Sequence, residues 1–409
     1  MKFEKIGNIA EFLNGVAFKP SEWQETGMKI IRIQNLTNPY NQYNRTKRKV
    51  DHKYIVNCGD VLVSWSATIG VFIWHDEPAL LNQHIFKVNF DNSKVTKEYF
   101  ILALKDTIRD LSKFAHGSTM KHVVKDDFDN HKIPLPSLND QRYISNILTK
   151  AENLINQRKE SICLLDEYLK STFLEMFGSD LIREKKWKII QFGEIITDLS
   201  DYHANGSYEI LREHIVLKNE LDYALIVRTT DLENKNFIEG CNYIDEAAYN
   251  FLKKSKIYGG EIIINKIGSA GNVYLMPNLN KPVSLGMNAF LLRFKEQANN
   301  IFIYYLLTSN FGEKAIQKHV KGAVTKTITK DAIRNIKIPF PPTELQNKFA
   351  QIVEKTETHK AQYQQSLQEL EKLYGSLSQR AFKGELSFKD EKLMMAAEPD
   401  TFYPVNTHP

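Results

Sequence analysis

Gly117-Ser118-Thr119-Met120-Lys121-His122-Val123 and Gly322-Ala323-Val324-Thr325-Lys326-Thr327-Ile328 share a glycine, a lysine and a final β-branched residue, 205 residues apart. The same offset relates Ile133-Pro134-Leu135-Pro136 to Ile338-Pro339-Phe340-Pro341, and Gln141 to Gln346. Three matches in one register are difficult to obtain by chance. We therefore predict that the chain contains an internal duplication.

The duplication extends towards the N-terminus of each half. Cys58-Gly59-Asp60-Val61-Leu62-Val63-Ser64-Trp65 resembles Gly259-Gly260-Glu261-Ile262-Ile263-Ile264-Asn265-Lys266 at an offset of 201 residues. Both strings predict a turn that leads into a buried strand. This period is much longer than the roughly 20–50 residues of solenoid repeats. It indicates the tandem duplication of a whole domain, and the alternative is two unrelated α+β domains with chance similarity.

Each half is predicted to end in a long helix. After each proline pair, apolar residues recur every three or four positions for about four to five heptads, which is typical of a coiled-coil seam. A helix of roughly 35–39 residues is ~55 Å long, too long for one small domain to cover, so we expect the two helices to pack antiparallel. Arg158, Thr356 and His359 are expected to set the register. The predicted seam residues are Ile147, Leu154, Leu165, Leu169, Ile352, Tyr363, Leu370 and Leu377.

These patterns predict an α+β fold with a tandem repeat of two α/β domains. Each domain is followed by a long helix, and the helices form an antiparallel intramolecular coiled coil. The predicted boundaries are 1–136 for the first domain, 137–178 for the first helix, 179–186 for a linker, 187–341 for the second domain, 342–385 for the second helix and 386–409 for a tail.

Composition excludes several classes of protein. The 409 residues predict roughly two to four domains, and 42% hydrophobic with 25% charged residues is typical of folded globular proteins. The sequence lacks a run of roughly 18 apolar residues and an N-terminal signal peptide. Cys58, Cys163 and Cys241 form neither a disulfide framework nor a metal-binding pair, so we expect a cytoplasmic protein. The net charge of +5 permits a polyanionic partner without requiring one.

Common catalytic signatures are missing from the sequence. It contains no phosphate-binding GxxxxGK[ST] loop, no HExxH zinc helix and no GxSxG nucleophile elbow. Asn38-Pro39-Tyr40 lacks the second proline of an adenine methyltransferase motif and is better interpreted as a turn. We therefore predict no catalytic, cofactor-binding or metal-binding residue in this chain.

Polar side chains suited to DNA recur at equivalent places in both halves. DNA reading requires cations for phosphates and forked amide or guanidinium groups for base edges. Such groups follow the apolar strands predicted at 28–31 and 224–227, and the paired glycine loops add hydroxyl groups and a lysine. One such cluster is more typical of a solvated surface, but the recurrence favours DNA contacts. The predicted DNA contacts are Arg32, Gln34, Asn35, Ser66, Thr68, Ser118, Thr119, Lys121, Arg228, Thr229, Lys266, Ser269, Thr325, Lys326 and Thr327.

This layout resembles the specificity subunit of type I restriction-modification systems. The resemblance covers about residues 1–385 and depends on Gly59-Asp60-Val61-Leu62, the two glycine loops, the proline pairs and the glutamines that follow them. It implies two target recognition domains on a coiled-coil spacer, each reading one half of a bipartite, asymmetric DNA site. Leu345-Gln346-Asn347 departs from Asp140-Gln141-Arg142 in charge, which puts partner contacts there in doubt.

The resemblance also implies the partners. The subunit has no catalytic centre and docks two methyltransferase (modification) subunits, which bind S-adenosylmethionine and methylate adenine N6 on double-stranded DNA. Restriction further requires up to two motor subunits with a nuclease, which use ATP and Mg. No membrane is involved. Changing the helix length is expected to change the gap between the half-sites and not their sequences.

Two other functions remain open at this point. The chain could be a coiled-coil adaptor or scaffold that does not bind DNA. Salt-dependent affinity for duplex DNA would distinguish a DNA-reading subunit from such an adaptor, which should lack it. It could also be an orphan specificity subunit that blocks or retargets modification. This last function differs in partners and not in fold.

Overall fold

The computed structural model describes residues 2–38, 40–66, 68–114, 125–178 and 187–386, without the side chains of residues 110–114. The chain forms two compact units. Unit 1 comprises Met1–Lys159 and Gln365–Pro409, and unit 2 comprises Glu160–Gln364. Each unit therefore contains one globular domain together with one part of each long helix.

The two domains contain equivalent strands. The strands of unit 1 are β1 (Phe3–Lys5), β2 (Ala10–Asn14), β3 (Met28–Ile31), β4 (Arg45–Thr46), β5 (Ile55–Val56), β6 (Val61–Ser64), β7 (Gly70–Ile73), β8 (Ala79–Leu81), β9 (Ile85–Phe90) and β10 (Lys132–Pro134). Those of unit 2 are β11 (Lys188–Gln191), β12 (Ile196–Asp201), β13 (Ala224–Val227), β14 (Asn242–Ile244), β15 (Lys256–Ile257), β16 (Ile262–Asn265), β17 (Val273–Leu275), β18 (Val283–Leu285), β19 (Ala289–Phe294) and β20 (Lys337–Phe340).

Short helices surround the sheets, and two long helices end the repeats. The helices are α1 (Ile33–Thr37), α2 (Lys97–Phe114), α3 (Lys125–Asn130), α4 (Leu138–Phe177), α5 (Tyr208–His214), α6 (Thr229–Glu233), α7 (Glu246–Phe251), α8 (Asn300–Thr308), α9 (Asn310–Gln317), α10 (Lys330–Arg334) and α11 (Thr343–Lys383). No helix within these described ranges combines the length and the apolar character that crossing a membrane requires.

Both domains have the same sheet topology. In unit 1 the strand orders are β2-β9-β6-β7 and β4-β3-β8-β5, and β1 pairs with β10. In unit 2 they are β12-β19-β16-β17 and β14-β13-β18-β15, and β11 pairs with β20. The pairs β3–β8 and β13–β18 are parallel, again at equivalent places. This shared topology confirms the duplication that the sequence predicts.

The repeated string that follows each glycine-acid turn forms the buried strand between two cores. All four residues of β6 are buried, with Val61 and Val63 in one core and Leu62 in the other. In unit 2, β16 distributes Ile262, Ile263 and Ile264 between two cores in the same way. Successive side chains of a strand point to opposite faces, so a strand with a core on each face must be apolar throughout.

The glutamine that follows the first proline pair joins the end of the sheet to two helices. Gln141 is fully buried, and its Oε1 accepts a hydrogen bond from the Thr96 amide at 2.8 Å. Its Nε2 donates to the carbonyl oxygens of Lys94 (2.9 Å) and Pro136 (3.0 Å). The side chain therefore satisfies backbone groups at the start of α2 and before α4.

Gln346 has the same role in unit 2. It is also fully buried, its Oε1 accepts from the Asn299 amide at 2.9 Å, and its Nε2 donates to the Pro341 carbonyl at 2.8 Å. The match that the sequence shows between Gln141 and Gln346 thus reflects a shared structural need, because buried backbone groups must be hydrogen-bonded.

We expect Gln346→Ala and Gln141→Ala each to lower the free energy of unfolding by about 1–3 kcal/mol, because each leaves buried backbone groups without partners. Urea unfolding followed by circular dichroism measures this. Gln365→Ala is the control, since this residue is exposed on α11 and its amide donates only to the exposed Glu369. An effect of the buried substitutions no larger than that of the control would contradict the assigned role.

Within each unit, the parts of α4 and α11 run antiparallel. In unit 1, Lys159 forms an ion pair with Glu371 at 2.9 Å. In unit 2, Asp166 pairs with Lys360 at 2.5 Å, and further along α4 the ring of Phe173 lies 5.3 Å from that of Phe349. Higher numbers on α4 thus meet lower numbers on α11, which confirms the predicted antiparallel pairing.

The seam differs from the prediction at two places. Leu154 is 50% exposed and Ile155 is buried in its place. His359 is exposed, and Lys360 packs at the seam with its ammonium on Asp166. A heptad pattern does not decide between adjacent positions, because a helix of 3.6 residues per turn drifts from a strict 3.5-residue repeat, and packing within each unit selects one of them. Thr356 is buried as expected.

Candidate nucleic-acid interface

Two loops of unit 2 that the sequence predicts to contact DNA lie side by side. The Gly268 amide donates to the Lys326 carbonyl, and the Ile328 amide donates to the Lys266 carbonyl, both at 3.0 Å. These bonds hold the loop after β16 against the loop before α10. Gly322 has a φ of +104°, and an added Cβ would lie 2.1 Å from the Thr325 carbonyl oxygen, so only glycine fits this turn.

The predicted contacts on these loops form one surface, which we call the unit 2 surface. Its members are Lys266, Ser269, Thr325, Lys326 and Thr327. Ser269, Thr325 and Lys326 are exposed, while Lys266 and Thr327 are half-buried. The Ser269 hydroxyl donates to Glu233 at 2.7 Å, which links the surface to the end of α6.

A carboxylate with two lysines adjoins the unit 2 surface. Lys266 Nζ lies 3.2 Å from Asp201 Oδ2, and Lys330 Nζ lies 3.0 Å from Asp201 Oδ1. Both ammonium groups also lie over the Phe290 ring, at 5.4 and 5.8 Å from its centroid. Burial raises the pKa of Asp201, but the hydrogen bonds from Lys330 and Lys266 outweigh it and keep the pKa below its ordinary value. Asp201 is therefore ionised at neutral pH.

The Arg228 side chain is committed to its own domain. Nε and Nη2 donate to the two oxygens of Asp231 at 3.0 and 2.7 Å, and Nη2 also donates to the Gly240 carbonyl at 2.7 Å. Asp231, the third residue of α6, in turn accepts the backbone amide of Arg228 and caps the start of this helix. This network commits three of the five N–H donors of the guanidinium, so we leave Arg228 out of the proposed interface. Thr229 is half-buried in the first turn of α6.

Arg32 occupies the equivalent position in unit 1, at the start of α1. Its backbone amide donates to Asn35 Oδ1 at 3.1 Å. The Asn35 amide nitrogen donates to the carbonyls of Asn41 (3.2 Å) and Gln42 (3.3 Å), and the residue is buried. Asn35 thus has a helix-capping role, and its DNA contact stays a prediction. Gln34 is exposed next to it.

The Arg32 guanidinium has fewer partners than that of Arg228. Nη1 donates to Asn44 at 3.2 Å, and the group lies 5.3 Å from the centroid of the Trp23 ring. A guanidinium has five N–H donors, so Arg32 retains capacity for a ligand. Of the other unit 1 predictions, Ser66 is buried and Thr68 is exposed. Ser118, Thr119 and Lys121 lie outside the described residues.

Unit 1 has a trio equivalent to Asp201, Lys266 and Phe290, with different chemistry. Asn14 ends β2 opposite Phe86, just as Asp201 ends β12 opposite Phe290. Trp65 follows β6, its Nε1 donates to Asn14 Oδ1 at 3.4 Å, and its ring stacks on Phe86 at 5.9 Å.

The sequence-based prediction missed Asp201 and Lys330, as well as Asn14 and Trp65 as contact candidates. Asn14 and Asp201 could have been found by aligning the two repeats, because each residue ends the equivalent strand, β2 or β12. Unit 2 offers hydroxyls and ammonium groups on its loops, and unit 1 offers the guanidinium of Arg32, so each unit by itself has groups that suit a polyanion. Within the described part of the chain, no group of three His, Cys, Asp or Glu side chains is placed to hold a metal ion.

Comparison with known proteins identifies the family. The model of the type I restriction modification DNA specificity domain matches residues 1–163 and 184–372, once in each repeat. The chain is 22% identical over 408 residues to the EcoBI specificity subunit of Escherichia coli, covering 93% of this chain and 85% of that one. It is 26% identical over 306 residues to the MjaVIII specificity subunit of Methanocaldococcus jannaschii, covering 73% and 72%.

Solved structures share the fold. The type I restriction-modification S subunit from M. genitalium superposes with a TM-score of 0.53 at 16% identity, covering 93% of this chain and 96% of that one. A chain from a study of complex assembly and conformational transition of the type I system gives 0.56, also at 16% identity, covering 94% and 98%. Because the family model matches both repeats and most of the sequence, the chain belongs to the type I restriction-modification DNA specificity domain family.

Proposed function

We propose that this chain is the DNA-recognition subunit of a type I restriction-modification complex and that each globular domain reads one half of a bipartite site. The observation that carries the proposal is the family match in both repeats, on two domains of one topology. Equivalent positions differ in chemistry between the domains, as Trp65 and Lys266 do. The two half-sites are therefore expected to be unlike.

The chemistry belongs to the partners. Two modification subunits, which bind S-adenosylmethionine, would methylate adenine N6 after the base is flipped out of the duplex. Motor subunits that use ATP and Mg would carry out restriction in the cytoplasm. This chain would contribute recognition and docking and no catalytic group. An adaptor that does not bind DNA is the second candidate, and the polar surfaces on both domains disfavour it.

Methylation mapping tests the proposal. The chain is co-expressed with a candidate modification subunit, and host DNA is sequenced for N6-methyladenine. One split motif with unlike halves and a fixed gap, absent from cells without this chain, is the expected result. A stable complex of the two proteins that produces no new motif would overturn the proposal and favour the adaptor.

We expect Lys326→Ala, and its counterpart Lys121→Ala, to weaken binding to every duplex sequence and to reduce the salt dependence. Each lost phosphate contact lowers the slope of log Kobs against log salt by about 0.9. Fluorescence anisotropy with duplexes of several sequences measures both effects. Lys372→Ala, an exposed position on α11, is the control. A sequence-selective loss with an unchanged slope would contradict the phosphate role.

A further inference from the structure

In unit 2, the carboxylate of Asp201 fixes the ammonium groups of two lysines. Asp201 is only 7% exposed, and each of its carboxylate oxygens accepts one ammonium group. Lys266 and Lys330 keep about a third of their side-chain surface exposed, at 31% and 32%. Two ammonium groups are thus fixed side by side at the protein surface by one buried carboxylate, and the cluster has a net positive charge.

The ammonium groups retain exposed donors, whereas the carboxylate is buried. Each ammonium has three N–H donors and gives one to Asp201, so two remain on each lysine. A base amino group would have little access to Asp201, because only 7% of this residue is exposed. The cluster therefore fits an anion with several acceptor oxygens, which a DNA phosphate provides. Lys326, an exposed neighbour on the unit 2 surface, is also a donor.

Unit 1 supplies an internal comparison. The equivalent trio of Asn14, Trp65 and Phe86 has matching contacts but no charged side chain. Lys125, which begins α3 as Lys330 begins α10, is exposed. An indole ring that is stacked on phenylalanine and donates its N–H to Asn14 has no charge with which to neutralise a phosphate. The two repeats therefore place the members of the trio alike, but two of them are charged in unit 2 and none is charged in unit 1.

We propose that Asp201 is a positioning residue that presents Lys266 and Lys330 as a paired cation to one phosphate of the DNA backbone, in unit 2 only. This inference rests on the proposed function. The physical basis is pre-organisation, because a free lysine side chain loses rotamer entropy when it binds and a held one loses less.

The substitution Asp201→Asn separates positioning from net charge. It removes one negative charge, so electrostatics alone would strengthen binding to DNA. If Asp201 positions the lysines, the substitution instead weakens binding to DNA, because the two ammonium groups lose the carboxylate that they share. We expect affinity for a labelled mixed-sequence duplex to fall about fivefold to tenfold, with a shallower salt slope. Asp222→Asn is the matched control, because it removes a carboxylate paired with Lys218 elsewhere in unit 2.

The lysine variants test whether one phosphate is shared. Lys266→Ala and Lys330→Ala together are expected to lower the salt slope by about 0.9, as for one phosphate and not two. Thermal unfolding shows whether Asp201→Asn alters folding. If it does, the salt slope of the double lysine variant still tests the inference. Anisotropy is measured on the full chain, and bound duplexes selected from a random-sequence pool are sequenced.

Three results would overturn the inference. Asp201→Asn that folds and binds as tightly as wild type, or tighter, would remove the positioning role. A double lysine variant that leaves the slope unchanged and relaxes selection at a single base pair would indicate a guanine edge in place of a phosphate. Wild-type protein without salt-dependent duplex binding would overturn the proposed function itself, which distinguishes the two failures.

Discussion

Phe349→Ala is expected to lower the free energy of unfolding of unit 2 by about 3–5 kcal/mol, as for large-to-small changes in well-packed cores. Phe349 is fully buried on α11, and its ring lies 5.3 Å from Phe173, 5.7 Å from Phe177 and 5.0 Å from Tyr305. The substitution would leave a cavity among three aromatic rings. Urea unfolding followed by tyrosine and tryptophan fluorescence measures the loss.

The pattern of the loss is as informative as its size. If the two units unfold in separate transitions, the transition of unit 2 should move while that of unit 1 stays. Leu174→Ala is the control, because Leu174 adjoins Phe173 on α4 but is 59% exposed. A change for Phe349→Ala of less than about 1 kcal/mol would mean that this aromatic cluster does not hold the ends of α4 and α11 on unit 2.

The fold could be predicted because the duplication is visible as matched strings. The repeated proline pairs and glutamines mark the places where a sheet ends and a long helix begins, and both have local physical causes. The seam register was predictable only in part, since a heptad pattern does not decide between adjacent apolar residues such as Leu154 and Ile155. Burial against a domain decides that, and burial is a tertiary property.

The candidate interface was harder to predict than the fold. Lys330 and Asp201 lie 129 positions apart, so no local pattern joins them. Conversely, Asn35 and Arg228 have the residue types that read bases, but helix capping and an ion pair occupy them. A sequence shows which side chains could contact DNA. It does not show which of them the protein uses for its own backbone.

The two equivalent arginines should therefore respond oppositely to substitution. In Arg228→Ala, the buried Asp231 loses its guanidinium partner and keeps only a backbone donor. We expect the free energy of unfolding to fall by about 1–3 kcal/mol, below the range for fully buried pairs because Arg228 is partly exposed. DNA affinity of the folded variant should change little, because the guanidinium is occupied by Asp231 and Gly240.

Arg32→Ala should leave stability within roughly 1 kcal/mol of wild type, because the hydrogen bond to Asn44 and the contact with Trp23 lie near the surface. Its duplex affinity should fall about tenfold or more, and selectivity should relax at one position of one half-site if the guanidinium reads a base. Urea unfolding and anisotropy on both variants measure the contrast. Equal losses of affinity with no loss of stability would show that Arg228 exchanges Asp231 for DNA on binding, and that the two repeats use this position alike.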